Sequence, residues 1–176
     1  MEIKILTPEV YGVYSDEILA MLYASNQDFV PPLSARSSTT QADLSAAISG
    51  KDGVLLYFNE MKKQRILVAT ENDNLLGFVS YKENYTNTHI AEDFRPNIYI
   101  STLLVKPEAR GRHLTQCMYE SLFEAYASSY VFTRTWSSNA AHIRILSKLN
   151  FEIHNTLKND RGPGIDTVYF IKKASI

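Results

Sequence analysis

Two hydrophobic periods alternate along this chain. Residues 3–6 read as an opening strand, and Ser15-Asp16-Glu17-Ile18 ahead of an apolar series starts a helix over 16–25. Residues 29–33 must be extended, because each proline of Pro31-Pro32 pushes its predecessor out of the helical region. Helical signals return over 40–48, with Gly50 as the stop, and again over 53–63. The period then shortens. Residues 65–70 and 75–82 are β-branched and apolar, and Glu71-Asn72-Asp73-Asn74 between them has the composition of a hairpin turn. The polar stretch 83–96 follows as a long loop, a candidate for shaping a binding pocket.

The next strand, 97–105, ends at Lys106-Pro107. Simple alternation places Tyr99, Ser101, Leu103 and Val105 on one face and Ile98, Ile100, Thr102 and Leu104 on the other. Both faces are largely apolar, as expected of a central strand covered on both sides. In the helix predicted over 115–127, Leu114, Cys117, Met118, Ser121, Leu122 and Ala125 form one stripe for the core. A strand over 130–136, a helix over 139–149 with Ile143 and Leu146 inward, a strand over 151–157, a turn over 159–164 and a last strand over 166–172 complete the pattern. Hairpins around a central strand-helix-strand crossover predict an α/β (α+β) fold, with a mixed and mostly antiparallel sheet of six to seven strands flanked by helices.

Composition narrows the classes. At 176 residues without repeats or linkers, a single domain over 1–176 is expected. Eighteen basic residues against nineteen acidic ones leave a net charge of -1, so no global field draws nucleic acid or a membrane surface as partner. The one cysteine, Cys117, excludes an internal disulfide and fits a small side chain facing the core of a cytoplasmic protein. Apolar runs such as 54–58 are too short to span a bilayer. No His, Cys or carboxylate pair has ligand spacing, so no metal is expected.

Any attraction for anions must therefore be local, and 98–115 supplies it. A strand runs through a basic turn, Arg110-Gly111-Arg112-His113-Leu114-Thr115, into a helix start whose first N–H groups lack intrahelical partners. A phosphate-bearing ligand suits such a site.

These residues resemble the GNAT superfamily of acyl-CoA-dependent N-acyltransferases over nearly the whole chain. Val105-Lys106-Pro107 and Arg110 to Thr115 match its pyrophosphate loop, Arg/Gln-x-x-Gly-x-Gly/Ala after a strand ending Val-x-Pro. Asn139 followed by Lys148-Leu149-Asn150-Phe151 matches its second element. The resemblance implies an N-acetyltransferase that uses acetyl-CoA as donor and a small-molecule or peptide amine as acceptor, with a homodimer possible. It implies pantetheine against backbone groups of Leu103, Leu104 and Val105, pyrophosphate on the N–H groups of Arg110, Gly111, Arg112, His113, Leu114 and Thr115, and Asn139 positioning the pantetheine.

The chain departs from the family pattern at three places. His113 stands where glycine is preferred, Thr115 where a second glycine or alanine is, and Leu146 where many members carry the tyrosine that protonates the thiolate. Those departures support an alternative: a noncatalytic acyl-CoA-binding or partner-binding module. The family's glutamate base falls by register near Tyr99. The catalytic candidates are therefore Tyr99 and Ser101, the latter by ordering a water that carries off the amine proton. His89 and Asp93 are expected at the surface of the long loop, His142 facing solvent, and His154 packed in or at the edge of a strand.

Overall fold

The computed structural model describes residues 1–44 and 52–174. Its strands are β1 (Glu2–Leu6), β2 (Arg65–Glu71), β3 (Asn74–Glu83), β4 (Asn97–Val105), β5 (Tyr130–Trp136), β6 (Glu152–Leu157) and β7 (Thr167–Lys172). They form one sheet in the order β1-β2-β3-β4-β5-β7-β6. Every neighbouring pair is antiparallel except β4 with β5. The helices are α1 (Ser15–Ala24), α2 (Gly53–Met61), α3 (Leu114–Ala125) and α4 (Ala140–Lys148).

The sheet is covered on both sides. Ile18 and Leu22 of α1 and Tyr57, Phe58 and Met61 of α2 pack with Ile66, Val68, Phe78 and Leu104 on one face. Met118 and Leu122 of α3 and Leu146 of α4 pack with Leu67, Val79, Ile98 and Ile100 on the other. A third cluster, Ile90, Tyr99, Phe132, Tyr169 and Ile171, is capped by Tyr85 and Phe94 of the loop after β3.

Local chemistry explains most boundaries. Asn72 and Asp73 between β2 and β3 both take the left-handed conformation, with φ 50 and 63, which a two-residue hairpin of the primed type requires and which Asn and Asp tolerate. Some expectations need correction. Pro8–Tyr14 forms a 3-10 helix that the apolar periods did not signal. Residues 40–44 are turns and bends rather than helix, and the rest of the helix expected over 40–48, with Gly50, lies outside the described residues. The buried stripe of α3 is Leu114, Met118, Tyr119 and Leu122; Cys117 and Ser121 are half-buried at its edge and Ala125 is exposed. Tyr119 rotates the stripe because its large ring packs between Phe123 and Phe151.

The alternation expected along β4 also fails, for one reason. In the pairing with β3, Ser80 faces Thr102 but Tyr81 faces Ile100, so Ser101 is an extra residue, a β-bulge. The phase flips there. Ile98 and Ile100 before the bulge and Leu103 and Val105 after it all pack towards α3, while Thr102 and Leu104 turn to the α2 side, where the Thr102 hydroxyl meets Tyr57 Oη at 2.7 Å.

Gly53 starts α2 against the backbone of Ser34, and a Cβ there would stand 2.0 Å from the Ser34 carbonyl oxygen. Gly53→Ala is expected to destabilise the fold by about 1–3 kcal/mol, since backbone must move. The control Gly12→Ala, with open space around the added methyl, should shift stability by less than about 0.5 kcal/mol. Urea unfolding of both variants checks this.

Candidate functional site

Strands β4 and β5 pair only from Asn97↔Tyr130 to Ile100↔Thr133. Beyond that they separate, and a cleft of about 560 Å³ opens between Ser101–Val105 on one side and Arg134–Trp136 on the other, roofed by α3 and α4. The bulge at Ser101 increases the local twist at the point of separation. Lys106 N–H donates to Leu76 O at 2.8 Å, so by the two-residue strand period residues 104 and 102 turn their backbone groups into the β3 ladder. Leu103 and Val105 direct theirs the other way, into the cleft. Leu104 is thereby removed from the three backbone positions expected to hold pantetheine, because its N–H and C=O already face β3.

The basic turn closes one end. Pro107–Ala109 form a 3-10 turn, and Gly111 and His113 both take left-handed backbone, with φ 75 and 57. His113 is the N-cap of α3, and its side chain makes no cap hydrogen bond, so the first N–H groups of the helix are left facing the cleft. Arg110, Gly111, His113, Leu114 and Thr115 line the cleft. The Arg112 side chain does not. Its guanidinium forms a two-pronged pair with Glu71, at 2.6 and 3.2 Å, and only its backbone N–H stays with the turn. Arg110, exposed and with its Nε donating to Val105 O at 3.4 Å, thus supplies the side-chain charge at this end.

At the roof, Asn139 caps α4: its Oδ1 accepts from His142 N–H at 3.3 Å, and its Nδ2 donates to Thr135 Oγ1 at 3.0 Å. It lines the cleft as a brace between β5 and α4. His142 does not face solvent, contrary to expectation. One turn after Asn139 it points back to α3, where Nε2 lies 2.9 Å from Tyr119 Oη, and it lines the cleft. Burial pushes its imidazole down to about 4, so it is neutral at pH 7. Leu146 is wholly buried in the core between α3 and the sheet.

The two catalytic candidates separate. Ser101 lines the cleft, and its hydroxyl donates to Gln64 Oε1 at 2.7 Å. Gln64 is itself held by Thr39 and Ser80, and Ser80 O offers the Ser101 hydroxyl a second acceptor at 3.2 Å, so a buried polar network occupies the Ser101 proton. Tyr99 is 1 % exposed, 4.7 Å from the Tyr85 ring, and its phenol is pushed up by burial. A phenol held protonated cannot act as a base, and Tyr99 is not among the residues lining the cleft, so the structure corrects that expectation. His89 is only half-buried, close to the expected surface site, and bonds through its ring to Asn155; His154 packs between Phe94 and Phe132, as expected of an edge-strand residue.

Sequence reasoning missed Gln64, Arg134 and Trp136. Phe29 and Trp136 pack with ring centres 5.9 Å apart, tilted by 52°, to form the far wall. Arg134 left one signal: it is the lone charge in the otherwise β-prone run Tyr130–Trp136. Among the described residues no group of three or more His, Cys, Asp and Glu side chains is placed to hold a metal ion, and no helix is long and apolar enough to cross a membrane.

Two predictions follow from this geometry. A non-glycine residue in left-handed backbone costs about 1–2 kcal/mol, and a β-branched one more. His113→Gly should therefore leave stability equal or higher by up to about 1 kcal/mol, and His113→Val should lower it by more than about 1 kcal/mol, read from thermal melts. The second concerns pH. In the folded chain His142 stays neutral down to about pH 4, whereas unfolded it takes a proton near pH 6.5. Between those values the unfolded state binds more protons, so stability falls as pH drops. The ring borders an open cleft, so the loss is on the order of 2 kcal/mol rather than the roughly 3.4 of the full shift. Denaturant titrations at pH 7 and 4.5 should show it in the native chain and not in His142→Gln.

Comparison with curated proteins finds no match. Solved structures share the fold at low identity. The ribosomal-protein-alanine N-acetyltransferase from Brucella melitensis is 20% identical with a TM-score of 0.65, over 98% of this chain and 99% of that one. A Salmonella typhimurium protein solved with its cofactor acetyl-CoA is 16% identical with a TM-score of 0.64, over 100% and 95%. An aminoglycoside 6'-N-acetyltransferase complexed with coenzyme A is 14% identical with a TM-score of 0.66, over 98% and 96%. The profile of the acetyltransferase (GNAT) family matches residues 18–151, which hold the split between β4 and β5, the basic turn and the Asn139 cap alike; the chain belongs to that family.

Proposed function

We propose that this chain is an N-acetyltransferase that moves an acetyl group from acetyl-CoA to a primary amine of a small molecule or peptide, by direct attack of the amine on the thioester. The observation that carries this reading is the cleft itself. It offers strand backbone at Leu103 and Val105 turned away from β3, a helix N-terminus with Arg110 beside it, and a polar anchor at Ser101, in one continuous space. Family relatives solved with acetyl-CoA and with coenzyme A support the same donor.

The donor supplies an activated acyl carbon on a leaving thiolate. The protein's residues do the rest. N–H groups at the start of α3, with Arg110, bind the phosphates. The β4 N–H groups of Leu103 and Val105 hold the pantetheine and face the carbonyl oxygen as negative charge develops there; one aimed donor is worth about 3–4 kcal/mol. Ser101 accepts a hydrogen bond from the acceptor amine and orients its lone pair. An amine of pKa near 10.4 needs roughly 4.6 kcal/mol to be neutral at pH 7, which makes its deprotonation the largest single demand. Protonation of the thiolate is the smaller one, since a thiol of pKa near 8.5 already leaves readily. The burial of Leu146 is therefore compatible with turnover, with solvent in the open cleft as the proton source.

Arg110→Glu should raise the acetyl-CoA dissociation constant by about tenfold or more at low salt, with a smaller effect at high salt. Calorimetry on ligand-free protein reads it, and unchanged affinity would remove the turn from the phosphate site. Ser101→Ala should lower kcat by about tenfold with acetyl-CoA affinity preserved. Thiol release against an amine panel tests the reaction: acetyl-CoA binding without release on any acceptor would favour a noncatalytic acyl-CoA-binding module.

A further inference from the structure

The β5 wall of the cleft carries positive charge that the fold leaves unneutralised. Arg134 lines the cleft, with Nη2 donating to Gln41 O at 2.6 Å, Nη1 donating to Tyr169 Oη at 3.3 Å, and the guanidinium 5.9 Å from the centre of the Tyr169 ring. Its Nε–H and the remaining terminal hydrogens have no hydrogen-bond partner among the described residues. Arg36 and Arg161, each 6% exposed, stand nearby. Arg36 donates to the carbonyls of Val30 and Pro31 and lies 5.3 Å from the centre of the Phe29 ring. Arg161 donates to Val30 O at 2.6 Å and to Thr167 Oγ1, and lies 5.7 Å from the centre of the Trp136 ring.

Among the described residues no carboxylate forms an ion pair with any of these three side chains. Asp160 acts on Arg161 but accepts the Thr167 hydroxyl, and Asp28 is exposed at the cleft rim. The surrounding tyrosines are no counter-charge, since burial holds phenols such as Tyr99 protonated. The three guanidinium groups act on one another: burial, then Arg36 and Arg134, push Arg161 down to about 9, still charged at neutral pH.

Arg36 and Arg161 have a structural task, holding the carbonyls of the 29–32 segment. Arg134 differs. A carbonyl and a neutral phenol need only a neutral donor, whereas a permanently charged planar fork with unspent N–H groups, facing a cleft, is a receptor for a carboxylate or phosphate. The register adds a distance. Thr133 pairs with Ile100, so Arg134 stands level with Ser101 across the split. An anion at Arg134 and an amine at Ser101 are then separated by few bonds.

We propose that the acceptor is a compact amine bearing an anionic group, a carboxylate or a phosphate, which Arg134 binds in the field of Arg36 and Arg161 while Ser101 holds the amine. This rests on the acetyl-transfer reading of the cleft.

The test is thiol release at saturating acetyl-CoA with paired acceptors: free α-amino acids and β-alanine against their amides, and phosphoethanolamine against ethanolamine. At least one anionic member should exceed its neutral partner by about 30-fold in kcat/KM. Discrimination in the amino acid pairs alone identifies a carboxylate, and in the phosphoethanolamine pair alone a phosphate. Arg134→Gln should bring that ratio close to one and Arg134→Lys should retain part of it, with folding of both verified by circular dichroism and acetyl-CoA affinity. Neutral members used as well as anionic ones by the native chain, or a ratio unmoved in Arg134→Gln, would overturn the proposal. Absence of release from every acceptor counts against acetyl transfer instead. Calorimetry of the CoA-saturated native chain with N-acetyl-β-alanine, its amide, and N-acetylated phosphoethanolamine then decides the anion site without turnover. Binding of an anionic probe at least tenfold tighter than the amide supports it, and equal affinity overturns it.

Discussion

Strand β4 is paired along its length to β3 but to β5 only as far as Ile100, and a buried N–H or C=O left without a partner costs about 1–3 kcal/mol. The Leu103 backbone and the Val105 N–H must therefore meet water or a ligand, while Val105 O accepts from Arg110 Nε at 3.4 Å, and an open cleft lies in the middle of a seven-stranded sheet. The bulge at Ser101 sits where the split begins. It adds twist, and it flips the side-chain phase so that Leu103 and Val105 face α3 while Thr102 ties the strand to Tyr57 of α2. One inserted residue thus sets both the gap and the chemistry along its rim.

Charge is distributed along that gap rather than over the surface. The net charge of -1 conceals two cationic places at opposite ends of one space, Arg110 at the helix start and Arg134 on β5. Arg112 would have added to the first, but Glu71 takes it. The rest of the lining is mostly neutral, with Ser101, Thr102, Thr133, Asn139 and an uncharged His142, apart from Lys148 on α4 and Asp28 at the rim. Both ends attract anions, so charge alone does not fix the direction of a phosphate-bearing ligand; the helix N–H groups beside Arg110 distinguish that end.

The order of strands and helices was legible because it is carried by short-range signals: the Asn72-Asp73 turn, the two prolines at 31 and 32, and the apolar stripe of α3. The basic turn and the Asn139 cap were legible for the same reason. Side-chain direction along β4 was not, since a bulge depends on pairing with β3 and leaves no mark in an alternating pattern. Tyr99 consequently looked like a neighbour of Ser101 and proved to be part of an aromatic cluster under the loop after β3. His142 was misplaced because its partner, Tyr119, lies on another helix. The departure at His113, where the family prefers glycine, has a backbone reason that only the structure shows. His113 takes a left-handed conformation, φ 57, and His is among the non-glycine residues that tolerate it.

The segment carrying Phe29 is not a free loop despite its lack of regular structure. Arg36 grips it through Val30 and Pro31, and Arg161, more than a hundred residues later in the chain, donates to the same Val30 oxygen at 2.6 Å. Charged donors on main-chain carbonyls hold the Phe29 and Trp136 wall in shape before any acceptor arrives. An incoming molecule then loses little affinity to ordering this side of the pocket. Selectivity there becomes a matter of fit to a rigid surface, and acceptors too broad for it are rejected rather than accommodated.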